Sequence, residues 1–271
     1  SALYNSGVQG MDVGTVQASN LKGWWKCDDM STLKDYSGNG ANATVTNAFN
    51  AASFPENASG STIVGDFSMK RKGVSVLNPI SMPVNSLIRP AVIPNDGSLT
   101  PDPSKGGYSF SAFIRFEQAS GATPWKPAVF SVTTYWASVN RVTLSFGDLS
   151  VAAAPPKLTI SDGTQGRDYI WPSALSNPEE WHQLAFTIDY TTSPNTTFKL
   201  YVDGALVKTQ STHVHTAFSP GDFIIGSSLA AGTNFPGAIA CFRMHQAKLS
   251  DNEMEQIYRS DLRLIKGLEN E

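Results

Sequence analysis

The chain has 271 residues, of which 41% are hydrophobic and 16% charged, and its formal net charge is −3. A slightly negative chain offers no basic surface for nucleic acid or for an anionic membrane. No segment approaches the roughly 20 consecutive apolar residues that a membrane-spanning helix needs. We therefore expect neither nucleic-acid binding nor membrane insertion.

Short runs of alternating apolar and polar residues recur along the chain, which is typical of half-buried strands. In the first such run, 108–116, the apolar residues share one face. Asp203-Gly204 is expected to turn a hairpin within 197–210. The other predicted strands are 141–147, 156–163, 180–189, 222–228 and 237–246. Strands at short spacing, separated by Gly, Pro and Asn, indicate an all-β sandwich or jelly roll.

One segment near the C-terminus, 249–265, has a helical pattern. Ser250 is suited to the N-cap, and Glu253 follows three residues later, which is the spacing of a capping box. Met254 and Ile257 then recur at helical spacing. The sequence therefore predicts one C-terminal helix.

The segment 75–105 carries six prolines, and proline removes hydrogen bonds from a central strand. We interpret it as an ordered insertion, since the strands after it need partners from before it. The expected organisation is a single domain at 20–260, with an N-terminal arm or the end of a preceding unit at 1–19 and a C-terminal tail at 261–271.

Four segments, taken together and in order, resemble the laminin-G-like, concanavalin A-like jelly rolls over roughly 20–260. They are "NLKGWWKCDDMSTLKDYSGNGANATVTN", "YSFSAFIRF", "EWHQLAFTIDYTTSPNTTFKLYVDGALV" and "FPGAIACFRMHQAKLSDNEMEQIY". The resemblance implies an all-β, two-sheet antiparallel jelly-roll sandwich with a C-terminal helix, and it assigns Trp24 and Trp181 to packing. The segments "ALYNSG" and "EQIYRSD" are similar to the joints of tandem laminin-G-like proteins of tailed bacteriophages.

The two cysteines of the chain, Cys27 and Cys241, fall in the first and last strands of that fold. Because these strands lie side by side in the family, the resemblance implies that the two residues are neighbours. A disulfide between them and a pair of buried thiols both remain open. A bridge would close a loop of more than 200 residues and would stabilise the fold by up to about 5 kcal/mol.

Relatives often hold a structural calcium ion at the Asp-x-Ser-Gly turn, which here offers Asp35 with Asn39 nearby. The aspartate that many relatives add in the closing strand is replaced by Ala240. The alternative is an Asx-type turn, in which the Asp35 carboxylate only accepts hydrogen bonds from nearby backbone. No cofactor is required, and a structural calcium is the one candidate.

Catalysis by a glucanase mechanism would need two carboxylates about 5 Å apart. On a strand, such residues would have to share one face, at spacings of two or four. The acidic pairs Asp28-Asp29 and Glu179-Glu180 are adjacent and would point to opposite faces, and Glu253 and Glu255 lie on the predicted helix. We therefore predict that the protein is not an enzyme.

Aromatic residues in the middle third of the chain are candidates for stacking on sugar rings. They lie in or near loops where strict alternation breaks down, so either ligand binding or packing would explain them. The candidates are Trp125, Tyr135, Trp136, Tyr169 and Trp171.

The sequence thus predicts a non-catalytic virion component, such as a tail fibre, decoration or other surface protein of a bacteriophage. Its partners would be other virion proteins or copies of itself, together with surface glycans of the host. The alternative is a carbohydrate-binding module of a secreted bacterial protein. Either function implies a virion or extracellular location.

Overall fold

The structure is a computed structural model. It describes residues 4–5, 8–9, 16–25, 34–42, 44–45, 74–76, 91–93, 97–116, 128–133, 140–146, 154–162, 166–192, 195–213, 222–226, 235 and 237–269.

Sixteen strands and one α-helix are described, and they are labelled here in chain order. Strands β1 to β8 are Tyr4–Asn5, Val8–Gln9, Leu21–Trp25, Thr44–Val45, Val74–Val76, Ala91–Ile93, Gly107–Phe116 and Ala128–Thr133. Strands β9 to β16 are Asn140–Phe146, Pro156–Asp162, Gly166–Ile170, His182–Asp189, Asn195–Val202, Ala205–His213, Asp222–Ile225 and Gly237–His245. Helix α1 is Asp251–Glu269, and short 3-10 turns occur at Ala18–Asn20 and Pro103–Lys105.

Two large antiparallel sheets form the body of the molecule. The first sheet has the order β11-β10-β9-β8-β15-β6-β4, and the second has the order β14-β13-β12-β7-β16-β3, with β5 also pairing with β16. A separate two-stranded ribbon joins β1 and β2. The predicted fold class, an all-β antiparallel jelly-roll sandwich with a C-terminal helix, is confirmed.

The main core lies between the two sheets and is built from the faces that alternation predicts. Phe110 of β7 and Phe130 of β8 meet with their ring centroids 4.3 Å apart. Leu144 of β9 and Phe186 of β12 are fully buried in the same cluster. Burying a side chain of this size contributes about 1.5–3 kcal/mol, so this interface between the sheets is the main source of stability.

The outer face of the second sheet is also covered, because helix α1 packs on it. Met254 and Ile257 of the helix are buried against Ala185 and Tyr201 of the sheet. As a result, every residue of β12 is buried. The side of β12 that carries polar residues therefore lies beneath helix α1, although its alternating pattern is typical of a side that faces solvent.

The capping box predicted for the helix is confirmed. The backbone N–H and the hydroxyl of Ser250 donate to Glu253 Oε2 at 2.7 and 2.8 Å, and the Glu253 backbone N–H donates to Ser250 Oγ at 3.3 Å. The helix continues to Glu269, so most of the segment 261–271, predicted as a tail, is helical. Ile265 is buried in contact with the sheet.

The predicted hairpin turn is confirmed at Asp203-Gly204. Both residues have positive φ, 50° and 75°, as the tightest hairpin turns require. A Cβ atom at Gly204 would lie 2.8 Å from the ring of Tyr258. Glycine therefore serves both the turn and the close approach of helix α1.

Parts of the predicted arm and of the proline-rich insertion join the body. Val74–Val76 and Ala91–Ile93 are strands of the second and first sheets. The side-chain amide of Gln17 donates to Glu253 Oε1 at 2.9 Å, which brings the N-terminal region to the start of helix α1. None of the helices in the described ranges is long and apolar enough to cross a membrane.

Candidate functional site

A cluster of polar side chains lies on the outer face of the first sheet, on strands β10 and β11. In β10, Leu158 and Ile160 point into the core, so alternation turns Lys157 and Thr159 outward. In β11, Tyr169 points inward and Asp168 outward. The antiparallel register places Asp168 directly opposite Thr159.

Lys157 and Thr159 both contact Asp168, and we call these three residues the Asp168 cluster. The Thr159 hydroxyl donates to Asp168 Oδ1 at 2.7 Å, and Lys157 Nζ donates to Asp168 Oδ2 at 3.1 Å. The Asp168 side chain is 45% exposed and that of Lys157 is 25% exposed. Thr159 is buried, at 7% exposed, so the groups that a ligand can reach are the Asp168 carboxylate and the Lys157 ammonium group, which can hydrogen-bond to the hydroxyl groups of a ligand.

Hydroxyl side chains continue the cluster across the sheet. Thr143 of β9 lies opposite Thr159, and Ser131 of β8 lies opposite Thr143. The hydroxyls of Ser131 and Thr143 are 3.2 Å apart. Ser131 is buried, so the accessible part of this polar row is the Asp168 end.

Two of the five predicted ligand-binding aromatics lie within the described residues, and both are packed. Tyr169 is fully buried, with its ring centroid 3.9 Å from that of Phe198. Trp171 is 1% exposed, and its indole N–H donates to the carbonyl of Tyr201 at 3.1 Å. Packing, the alternative that the sequence left open, accounts for the positions of both rings in the structure.

The other three predicted aromatics, Trp125, Tyr135 and Trp136, lie outside the described residues. Their role as a sugar-stacking surface remains a prediction. The packing roles expected for Trp24 and Trp181 agree with their surroundings. The guanidinium of Arg243 lies 3.9 Å from the ring centroid of Trp24, and that of Arg115 lies 5.1 Å from the ring centroid of Trp181.

Asp35 lies at the centre of the turn for which the sequence left two alternatives, calcium binding or an Asx-type turn. Its Oδ1 accepts from the backbone N–H groups of Trp24 at 3.0 Å and Ser37 at 2.8 Å. Its Oδ2 accepts from the Ser37 hydroxyl at 2.7 Å and the Ala41 N–H at 3.0 Å. This is the geometry of the Asx-type alternative. The side-chain amide of Asn39, the second candidate ligand, donates to the carbonyl of Leu21 at 2.8 Å.

Other carboxylates that the sandwich buries have protein partners. Asp189 accepts from Lys248 Nζ at 2.7 Å and from the Thr191 hydroxyl at 2.6 Å. These contacts hold the pKa of Asp189 below its usual value, even though burial alone would raise it. Within the described ranges, no group of three or more His, Cys, Asp or Glu residues is placed to hold a metal ion.

The imidazole ring of His182 is held between two oxygen atoms. Its Nδ1 lies 2.8 Å from Asp203 Oδ2, and its Nε2 lies 3.2 Å from the carbonyl of Asn177. The hydrogen bond to Asp203 raises the pKa of His182. Because both ring nitrogens are occupied, this pair fixes the start of β12 to the hairpin turn.

Cys241, in β16, is 2% exposed. It has a positive φ of 48° at an irregularity in the pairing of β16 with β7. Cys27 lies outside the described residues. The disulfide between the two therefore remains a prediction.

The Asp168 cluster was not found by sequence reasoning. The segments "PKLTISDG" and "GRDYI" carry the alternation that turns these side chains outward. What the sequence does not supply is the register between β10 and β11, which pairs Thr159 with Asp168.

A laminin G family model, described as the concanavalin A-like lectin/glucanases superfamily, matches residues 91–255. No curated protein matches the sequence. Among solved structures, domain 4 of AbnA, an extracellular arabinanase from Geobacillus stearothermophilus, solved in complex with arabinotriose, is similar at a TM-score of 0.52. The identity is 17%, over 88% of this chain and 98% of that one.

Binding domains of clostridial toxins are also similar. The binding domain of Paraclostridial Mosquitocidal Protein 1 has a TM-score of 0.58 at 14% identity, over 90% of this chain and 52% of that one. A botulinum neurotoxin type C structure, whose cell entry depends upon interaction with two ganglioside molecules, has a TM-score of 0.55 at 12% identity and the same coverage. The chain thus spans about half the length of these toxin domains, and the likeness establishes a shared fold.

Proposed function

The chain belongs to the concanavalin A-like lectin/glucanases superfamily, and we propose that it is a non-catalytic module that binds glycans with the outer face of its first sheet. The observation that carries this proposal is the Asp168 cluster. A carboxylate that already accepts from a hydroxyl at 2.7 Å and an ammonium group at 3.1 Å is fixed in position before a ligand arrives. A pre-organised polar group loses little conformational entropy on binding.

Sugars suit this surface because neighbouring hydroxyl groups of a sugar can donate to the carboxylate while accepting from the adjacent ammonium group. Both an arabinanase domain in complex with arabinotriose and a toxin whose cell entry depends on gangliosides share the fold. Their ligands support a carbohydrate as the ligand class of this chain. The sequence identities to these proteins are too low to indicate which sugar is bound.

We propose that the module is not catalytic because its buried carboxylates are already bound by other groups of the protein. Asp35 and Asp189 accept hydrogen bonds from backbone, hydroxyl or ammonium groups, and Asp261 pairs with a buried arginine. A glycosidase requires one carboxylic acid with a raised pKa beside a second carboxylate. Asp189 and Asp251 instead have lowered pKa values because they are bound to lysine side chains.

The setting we propose is the surface of a bacteriophage virion or another extracellular particle, where the module would contact neighbouring structural proteins. The resemblance of the terminal segments to the joints of tandem phage proteins supports this setting.

Binding of the whole chain to a glycan array tests the proposal, with two matched variants. Asp168→Ala removes the exposed carboxylate of the cluster. Glu255→Ala removes a carboxylate of similar exposure, 48%, from an ion pair on the distant helix α1. We expect Asp168→Ala to weaken the strongest glycan signals at least tenfold and Glu255→Ala to leave them unchanged. Equal binding by all three proteins, or no binding by the wild type, would overturn the proposal.

A further inference from the structure

An exposed apolar side chain lies beside the Asp168 cluster. Ile170, in β11, is 43% exposed, and among the described residues it is the one large apolar side chain of the first sheet that is exposed. Tyr169 and Trp171 are buried in the core, so alternation places Ile170 on the same outer face as Asp168. A single exposed apolar residue is common on protein surfaces, but this one adjoins groups that a ligand can bind.

The register of β10 and β11 sets the spacing of these groups. Ile170 lies directly opposite Lys157, and Asp168 lies directly opposite Thr159. Directly opposed residues have Cβ atoms about 4.5–5.5 Å apart, and residues two positions apart on one strand are about 6.6 Å apart. The Asp168 carboxylate, the Lys157 ammonium group and the Ile170 side chain therefore border one small area of the outer face.

The paired charges at this place favour a neutral group on the ligand. Lys157 Nζ lies 3.1 Å from Asp168 Oδ2, so an ammonium group that approached the carboxylate would be repelled by Lys157. A ligand carboxylate that approached Lys157 would likewise be repelled by Asp168. An ionised carboxylate has about four acceptor sites, which is more than Thr159 and Lys157 use. A neutral N–H or O–H donor therefore suits Asp168, whose side chain is 45% exposed.

We propose that the sugar bound at this place carries an acetamido group, whose N–H donates to Asp168 and whose methyl group packs on Ile170. This proposal rests on the glycan-binding function proposed above, and it names the class of sugar as the N-acetylated amino sugars. A sugar hydroxyl can also donate to Asp168, but it brings no apolar group to Ile170. The acetamido group is neutral and supplies both.

The shape of the acetamido group suits the spacing of Asp168 and Ile170. A secondary amide is planar and trans, which places its N–H and its methyl group on one side and its carbonyl oxygen on the other. The donor and the methyl group can therefore reach two residues of the same strand face at once. Ring hydroxyls next to the acetamido group can accept from Lys157, as in the glycan-binding proposal.

Binding of the whole chain to matched oligosaccharides tests the inference. In each pair, N-acetylglucosamine or N-acetylgalactosamine replaces glucose or galactose on the same backbone, and a third member carries a free amine at that position. Ile170→Ala removes the apolar contact. Leu206→Ala is the control, because it truncates an apolar side chain of similar exposure, 41%, on β14 of the other sheet. Both side chains reach solvent, so both variants retain the fold.

We expect the wild type to bind the acetamido member of at least one pair about tenfold more tightly than the hydroxyl member, because an added methyl group in an apolar contact is worth about this factor. The free-amine member should bind no more tightly than the hydroxyl member. Ile170→Ala should lose most of the preference for the acetamido member, and Leu206→Ala should retain it.

The failure of this inference and the failure of the proposed function give different results. Equal binding of both members in every pair would overturn the acetamido assignment and leave glycan binding in place. A preference that Ile170→Ala retains in full, or tighter binding of the free amine, would also overturn the assignment. If the wild type bound none of the oligosaccharides, the glycan-binding function itself would be overturned, and the assignment with it.

Discussion

Arg243 of the last strand and Asp261 of helix α1 form an ion pair in which both side chains are fully buried. Arg243 Nε donates to Asp261 Oδ2 at 2.9 Å, and a second guanidinium nitrogen donates to Oδ1. The guanidinium also lies over the ring of Trp24 in β3. One arginine thus connects strand β3, strand β16 and helix α1.

Removing the acidic partner of this pair should be strongly destabilising. Asp261→Ala leaves a buried guanidinium without its counter-charge, which typically costs about 3–5 kcal/mol. Glu255→Ala breaks an exposed pair with Arg259, which is worth only about 0.3–0.5 kcal/mol. Urea unfolding of the three proteins measures both changes. A loss below about 1 kcal/mol in Asp261→Ala would show that the pair does not hold the helix.

The double replacement Arg243→Met with Asp261→Leu separates charge burial from packing. Apolar residues of similar size often replace a buried pair at no loss of stability. We expect the double variant to recover most of the free energy of unfolding lost in Asp261→Ala. A double variant as unstable as the single one would mean that shape, rather than the uncompensated charge, explains the loss.

The His182–Asp203 pair should make stability depend on pH above neutrality. The hydrogen bond to Asp203 raises the pKa of His182 above its ordinary value, about 6.5. The pair therefore makes its full contribution to the free energy of unfolding below pH about 6.5. That contribution is lost as the pH rises through the pKa that His182 has in the folded protein. Asp203→Asn retains a side chain that tolerates the positive φ of the turn and removes the charge.

The wild type should thus have a higher free energy of unfolding than Asp203→Asn. The difference should be largest near pH 6 and smallest near pH 9. Chemical unfolding at both pH values measures the difference. The comparison cancels contributions from other titrating groups, which both proteins share. A difference that does not change with pH would contradict the assignment.

His245 should have the opposite effect on stability. Burial, together with the charge of Arg243, lowers the pKa of His245 to about 3. The unfolded chain binds a proton at this residue below pH about 6.5, whereas the folded chain does not. Stability is therefore lost as the pH falls from 6.5 towards 3, at up to about 1.4 kcal/mol per pH unit.

Replacement of this histidine should remove that acid sensitivity. Between pH 6.5 and 5, the free energy of unfolding should fall less steeply in His245→Gln than in the wild type. This range lies above the pKa values of the paired carboxylates Asp189 and Glu253, which are lowered. Parallel pH profiles for the two proteins would refute the role of His245.

Asp35 should act as an anchor of its turn without calcium. Asp35→Ala leaves the buried N–H of Trp24 and two further backbone donors without their acceptor, at a cost of about 1–3 kcal/mol for each buried donor that stays unpaired. Ser37→Ala, which removes one donor to the same carboxylate, should cost less. Thermal unfolding in EDTA and in excess Ca²⁺ should give one midpoint for the wild type. A rise with Ca²⁺ that Asp35→Ala abolishes would assign the ion to this turn.

The sequence was sufficient for the parts of the fold that depend on local pattern. Alternation in β7 and β9, the Asp-Gly turn at 203–204 and the Ser250–Glu253 capping box each follow from short-range rules. The resemblance to the family then supplied the two-sheet antiparallel sandwich and the adjacency of its first and last strands. These elements agree with the structure because their local preferences and their burial point the same way.

Features that depend on contact between distant elements could not be predicted. Gln183 and Thr187 alternate with core residues as if they faced solvent, yet both are buried because helix α1 covers that side of β12. Trp171 follows the end of β11 and precedes a proline. It is buried with its indole N–H bound to the carbonyl of Tyr201 in the other sheet. The Asp168 cluster likewise depends on strand register, which is a property of the assembled sheet.

Native mass spectrometry of the chain mixed with a panel of oligosaccharides tests the central proposal most directly, because it weighs the complex and the free sugars together. We expect an adduct whose added mass equals that of an intact oligosaccharide, with adduct formation reduced in Asp168→Ala and unchanged in Glu255→Ala. An absence of adducts at millimolar sugar, or the appearance of shorter cleaved products, would contradict a glycan-binding module without catalytic activity.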